Sequence, residues 1–458
     1  MMSRRGVRCL GRILWLATAI SISRGGDAEE SPVVARFSDP TTNGPVAFRK
    51  LARDLDTGYI YVGGVNHLYQ LDSGMQLLQK VRNGPETDSP YCNYDGQCIL
   101  SPFHYESNTK HQRNRTVSKT LMDNFNQILV VYREKRVLIA CGTVLQGICS
   151  VHRLDDISKT VFTDKMVPVA ANMPNATTAA FVAPGPKNDS VLYVGATFTF
   201  DAYRDHFPAV CSRSLSDKNM FQLTFAGEIV SQSAMIIRND VISDFKVQYI
   251  GGFYHDGFAY WAAVQRKSLD TGAPYVSKLL RVCGPDARYE SYSEIPLECL
   301  STDNSNYNLL QAFHVGRLGS RVLSTLSNGG SHGPDPSKPA KESAICVFSM
   351  NDIRSAFWYN IQRCNSGIGY RNLPHFGLNQ PCQNVGYFSV SASRAVQRDF
   401  CHPIRVGGHI FATTVAAVSY TSTLLTSVVV DVIGEDTVLF AGTSAGNLKK
   451  VHIGRQMK

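Results

Sequence analysis

Short apolar runs recur along the chain, rich in β-branched and aromatic residues and bounded by Gly, Asn, Asp or Pro. The clearest are Tyr59 to Gly64, Val137 to Gly142, Val191 to Ala196, Phe258 to Ala263, Arg321 to Ser324 and Val438 to Thr443. Runs of this length and composition predict buried strands ending in small residues. Several turn at once into a second strand, as in Asn66 to Leu71 and Asn447 to Val451. A period of 3.6 residues is nearly absent, so the chain reads as all-β.

The spacing of these strands predicts the architecture. From Val62 the equivalent positions fall near Ala140, Val194, Trp261, Leu323 and Phe440. Most intervals are about 55–78 residues, and the last is about twice that, long enough to hold one degenerate unit. Seven units at this period predict a seven-bladed β-propeller, in which small antiparallel sheets pack around a central channel. Tandem β-sandwiches would repeat nearer to about 100 residues. A ring of blades also avoids one large core, which seldom grows past roughly 250–300 residues.

Ile410 to Val430 carries no charge and is long enough to cross a bilayer of about 30 Å. Eight Ser or Thr and a central Tyr420 interrupt it, so it predicts two strands with a turn between them. The 12 cysteines among 458 residues favour an oxidising compartment. At the N-terminus, Arg4, Arg5, Arg8 and Arg12 precede the apolar stretch Ile13 to Ile22 and small residues, the layout of a secretory signal over residues 1–24. Its removal takes five Arg, and the net charge falls from +9 to about +4. That is too little to imply a nucleic-acid partner. Asn114, Asn175 and Asn188 head glycosylation acceptors, which belong on surface loops. Gly329 to Pro339 reads as an exposed Gly/Pro loop.

Several motifs resemble those of one family. Asn83 to Cys92 (Asn-Gly-Pro-Glu-Thr-Asp-Ser-Pro-Tyr-Cys), Gly64 to Leu71, Asp123 to Leu129 and Cys141 to Cys149 are similar to plexin segments, in plexin order. So are Val169 to Asn172 with Pro174 to Thr178, and the stretch Gly442 to Val451. The likeness runs from about Val33 to Ile453, and Tyr275 to Ser277 with Tyr292 to Cys299 lean towards the B-type. The resemblance implies a sema domain over residues 28–455, the ligand-binding propeller of a single-pass receptor for semaphorins in axon-guidance and cell-migration signalling. It implies an extracellular location, a semaphorin as partner through its own propeller, and receptor self-association. It also implies the disulfides Cys92–Cys98, Cys141–Cys149, Cys283–Cys401, Cys299–Cys346 and Cys364–Cys382, with Cys211 left as a buried thiol or an intermolecular bridge.

Candidate chemistry is sparse. Gly442-Thr443-Ser444-Ala445-Gly446 fits the pattern of a nucleophile elbow, but a second strand follows the serine, and His452 is followed by no acid. The motif therefore predicts a hairpin turn. No cysteine spacing suits zinc, and no cofactor is expected. The basic run Lys110 to Arg115, with Lys119, reads as a solvated loop or a site for sulfated glycans. In plexins the semaphorin meets the propeller around its third and fourth blades. By blade count that places Phe200 to Phe207 at the contact, with Asp201, Tyr203, Arg204, Asp205 and His206 as candidate partner-binding residues. Tyr and Arg suit such anchors. Two other readings stay open: a soluble semaphorin-binding decoy, and a secreted propeller enzyme with ionisable groups converging on its channel.

Overall fold

Each recurrent apolar run becomes the second strand of a small antiparallel sheet. The computed structural model describes residues 35–39, 47–92, 98, 118–163, 167–199, 207–227, 231–302, 305–316, 321–329, 338–384, 401–433 and 436–453. The first sheet holds β1 (Phe48–Arg53), β2 (Ile60–Gly64), β3 (His67–Leu71) and β4 (Leu77–Arg82). A hairpin of β5 (Glu86–Asp88) and β6 (Thr120–Met122) leads to the second, with β7 (Ile128–Tyr132), β8 (Val137–Cys141), β9 (Cys149–Arg153) and β10 (Thr160–Thr163). The third is β11 (Thr178–Pro184), β12 (Ser190–Ala196), β13 (Val210–Ser214) and β14 (Ala234–Met235). The fourth is β15 (Gln248–His255), β16 (Phe258–Arg266), β17 (Tyr275–Cys283) and β18 (Ser293–Leu300).

The fifth sheet starts with β19 (Leu309–Val315), β20 (Arg321–Gly329) and β21 (Pro339–Ser349). Its fourth strand comes only after an insertion, which holds α1 (Met350–Asn365) and β22 (Val406–Gly407). That strand, β23 (Ala412–Tyr420), pairs antiparallel with β21 and parallel with β18, so the fourth and fifth sheets join along their outer strands. The sixth holds β24 (Leu425–Ile433), β25 (Asp436–Thr443) and β26 (Leu448–Ile453). Six such sheets are traced among the described residues. In the long interval between Leu323 and Phe440, the described residues form this insertion rather than another sheet. The apolar run from Ile410 to Val430 is β23 and most of β24 with a turn between.

No single core exists. Tyr61, Leu68, Leu138 and Ala140 are buried between the first two sheets. Tyr193, Tyr249, Trp261 and Leu280 fill the space between the third and fourth, and Tyr260, Phe348 and Phe357 the next. A second strand has neighbouring strands on both edges and sheets on its faces, and β16 is accordingly buried along its whole length. The first strands of the first five sheets line one central cavity. Four of the six first strands carry a bulge near their start, at Phe48/Lys50, Tyr249/Gly251, Leu310/Ala312 and Leu425/Ser427, which bends a strand locally.

One device repeats where the chain crosses to the next sheet. Ser277 Oγ in β17 donates to Asn308 O and accepts from Leu310 N, both at 2.9 Å. Ser343 in β21 does the same to Thr423 O and Leu425 N. Each serine thus satisfies the backbone as it turns inward. Between the first two sheets the work is done by asparagines. Asn124 Nδ2 donates to Asn83 O at 2.7 Å, and its Oδ1 accepts from Thr143 N at 2.9 Å. Asn66 Oδ1 accepts from Asn124 N at 2.7 Å. Gln146 then reaches Pro90 O and Cys92 O, both at 2.8 Å, and accepts from Asn172.

Disulfides join Cys92 to Cys98, Cys141 to Cys149, Cys283 to Cys401, Cys299 to Cys346 and Cys364 to Cys382. Cys299–Cys346 ties β18 to β21 across the fourth and fifth sheets, Cys401 holds the insertion's returning limb to β17, and Cys364–Cys382 closes a loop within the insertion. Cys211 is a buried free thiol in β13, its pKa raised by burial.

Candidate functional site

A groove of about 510 Å³ opens where the outer edge of the third sheet meets the insertion. Its lining includes Met235, Ile237, Arg238, Phe376, Leu378 and Arg405. The third-sheet wall follows from β14, a short edge strand paired with β13 alone among the described residues. The opposite wall is a tight turn, Pro374–Phe376, ending on Gly377 at φ 77°. Arg238 N donates to His375 O at 2.9 Å, closing the two walls together.

Guanidinium groups frame this apolar floor. Arg238 Nε holds Asp240 Oδ1 at 2.9 Å, and Arg405 donates to Tyr289 O at 2.9 Å and Arg288 O at 2.8 Å. Burial pushes the Arg405 pKa down, Asp286 and Glu290 oppose the shift, and an arginine remains charged. Arg288 lies 5.3 Å above the centre of the Phe225 ring.

The turn is anchored from beneath by buried Glu294, whose side chain is 1% exposed. Its Oε2 takes Lys278 Nζ at 2.7 Å, and its Oε1 takes Tyr292 Oη at 2.8 Å and His375 Nε2 at 3.1 Å. Burial alone would raise the Glu294 pKa, but Lys278 and His375 outweigh it and hold the carboxyl well below the usual range. Burial lowers the His375 pKa, with Glu294 opposing, so the ring stays neutral and donates Nε2–H. Phe245 stacks on that ring at 4.7 Å between centroids.

Burial also lowers the pKa of His67, His152, His314, His402 and His409. The unfolded chain, with histidines near about 6.5, then binds more protons than the folded one below that pH. Stability is therefore present at neutral pH and lost as pH falls. Calorimetric melting at pH 7, 6 and 5 should give a Tm that drops at each step, and a flat or rising Tm would contradict neutral buried imidazoles.

Asp201, Tyr203, Arg204, Asp205 and His206 lie outside the described residues, as does Asn114. The described chain resumes at buried Phe207, and Ala209 N donates to Met235 O at 2.9 Å, so this point abuts the groove. Asn175 and Asn188 are exposed. Ser444 sits in the β25–β26 turn, where Gly446 takes φ 79° and Gly446 N donates to Thr443 O. Among the described residues no group of three His, Cys, Asp or Glu could hold a metal ion, and no helix is long and apolar enough to cross a membrane. The groove residues Phe376, Leu378 and Arg405 escape sequence reasoning because they come from two separate stretches without shared periodicity, facing a third at Met235 to Asp240.

The Sema domain family profile matches residues 331–457. Plexin-2 of Caenorhabditis elegans is 30% identical over 403 residues, covering 87% of this chain and 20% of that protein. Human Plexin-A4 is 27% identical over 440 residues, covering 89% and 22%. A solved structure of the Plexin A4 full extracellular region superposes with a TM-score of 0.74 at 25% identity, over 89% of this chain and 45% of that one. The chain carries a sema domain of the plexin kind. Drosophila Semaphorin 2a shares the fold, with a TM-score of 0.61 at 14% identity over 90% of this chain and 67% of that one. The sema domain is thus an all-β propeller with disulfides, similar to part of the extracellular region of a plexin. It spans about a fifth of the length of the plexins it matches.

Proposed function

We propose that this sema domain is the ligand-binding module of a plexin-type receptor and takes a semaphorin against the outer edge of its third and fourth sheets. The groove carries the reading. Aromatic, aliphatic and arginine side chains around a rigidly held apolar floor make up a protein-recognition surface, where a few Tyr, Trp or Arg anchors dominate affinity. The plexin resemblance adds Asp201, Tyr203, Arg204, Asp205 and His206 to the same contact by blade count. On this reading the domain occupies residues 28–455 behind an export signal at 1–24. It acts at the outer face of the plasma membrane in axon-guidance and cell-migration signalling, without catalysis. A bivalent semaphorin would bring two receptors together, because linked sites raise effective concentration without new contacts.

Surface plasmon resonance of residues 28–458 against sparsely immobilised semaphorin ectodomains tests this. Arg238→Glu, and Tyr203→Ala with Arg204→Glu, should each weaken binding to the recognised semaphorin at least about tenfold without changing Tm. Undiminished binding by both variants would remove the groove and loop from the interface. No binding to any semaphorin by the folded domain would remove the partner.

A further inference from the structure

The central cavity is separate from the outer groove. It measures about 390 Å³ and is lined by Lys50 of β1, Gln127 and Ile128 beside and within β7, Thr178 of β11, Phe253 of β15 and His314 of β19. That volume lies in the range of small-molecule sites, roughly 300–1,000 Å³. The lining strands pair on one edge only, so their free backbone edges face inward. Phe253 and Phe313 supply an apolar wall, 5.8 Å apart between ring centroids.

The charge on that lining is one-sided. Lys50 Nζ donates to Thr178 O at 3.1 Å, which uses one of its three donors. Burial lowers its pKa and neighbouring Arg49 adds to the shift, with no carboxylate among the described residues acting against them. A half-buried ammonium with no counter-charge among the described residues is costly to hold, and an anion within reach offsets that cost. The His314 ring makes no hydrogen bond among the described residues and lines the same cavity. Its charged neighbour is Asp431 of β24, which does not line it. The cavity therefore presents a cation, a second nitrogen donor and apolar walls.

We propose that the propeller channel binds a small oxyanion, phosphate or a carboxylate-bearing acid, with Lys50 as its charged anchor and His314 as a second donor. Lys50 spans from the first sheet to the third, so the anion would also brace the channel and raise the melting temperature.

Inorganic phosphate and citrate are titrated separately into the secreted domain at constant ionic strength, by calorimetry and by melting. Saturable binding near or below about 1 mM with a raised Tm is expected for at least one of them. Phosphate alone would mark a phosphate-bearing ligand, and citrate alone a carboxylate. Lys50→Met should weaken binding at least about tenfold while Lys50→Arg retains it. No saturable binding of either anion, or equal binding by Lys50→Met, overturns the proposal. Should Lys50→Met fail to fold, His314→Gln takes its place: weaker binding supports the site and unchanged binding overturns it.

Discussion

Glu294→Ala should destabilise the domain by about 3–5 kcal/mol, the cost of leaving buried charge without its partner. The substitution removes the acceptor from four donors at once: Lys278 Nζ, Tyr292 Oη, His375 Nε2 and, at 3.4 Å, Gln265 Nε2. Lys278 is only 8% exposed and cannot recover water without opening the interface with the insertion. The damage should also reach the groove, because His375 belongs to the turn that carries Phe376, and its carbonyl accepts from Arg238 N.

A double variant separates charge from shape. Lys278→Met with Glu294→Leu removes both ions, and well-packed apolar replacements of a buried pair are often neutral or stabilising. The double variant should therefore be markedly more stable than Glu294→Ala, by denaturant titration of each purified protein. A single variant within about 1 kcal/mol of wild type would mean that water already reaches the carboxylate.

Legibility in the sequence follows the physics of each position. All six recurrent runs are second strands, paired on both edges, and those of the inner sheets are buried on both faces, as β16 is, so their pattern is strong and regularly spaced. The first strands read poorly. In β1, Phe-Arg-Lys-Leu-Ala-Arg, the inward face meets a polar channel, and the bulge at Phe48/Lys50 breaks the alternation. The helix α1 is absent from the sequence reading although its start is marked. Ser349 accepts from Asn351 N, and Asp352 sits in the first turn. Asn351, Ser355, Asn360 and Asn365 are weak helix formers, and tertiary burial of Ile353, Phe357 and Ile361 overrides them. Glu294 and His375 stand 81 residues apart, and nothing in either neighbourhood announces the pair.

The motifs that resemble plexins turn out to be architectural where the structure describes them. Asn66, Asn83, Asn124 and Thr143 come from four of those stretches and meet between the first and second sheets. Residue types there answer to backbone groups that strand pairing leaves over. A binding edge, by contrast, varies with the ligand and carries no fixed pattern, which is why its residues had to be found from geometry.

That interlock supports the last prediction. Asn124→Ala strips the acceptor from Thr143 N and the donor from Asn83 O, leaving buried groups unsatisfied at a cost of roughly 3 kcal/mol. Gly142→Ala should be at least as damaging, because a Cβ there would lie 1.8 Å from Asn124 Oδ1 and 2.6 Å from its Nδ2. The two effects should not add. Truncating Asn124 removes the atoms with which the new methyl collides, so the double variant should lie well above the sum of the single losses. Denaturant unfolding of the four proteins in the cycle measures this. Strict additivity would show that Gly142 is needed for its backbone freedom, whereas a coupling of about 1 kcal/mol or more would place its role in the space it leaves for Asn124.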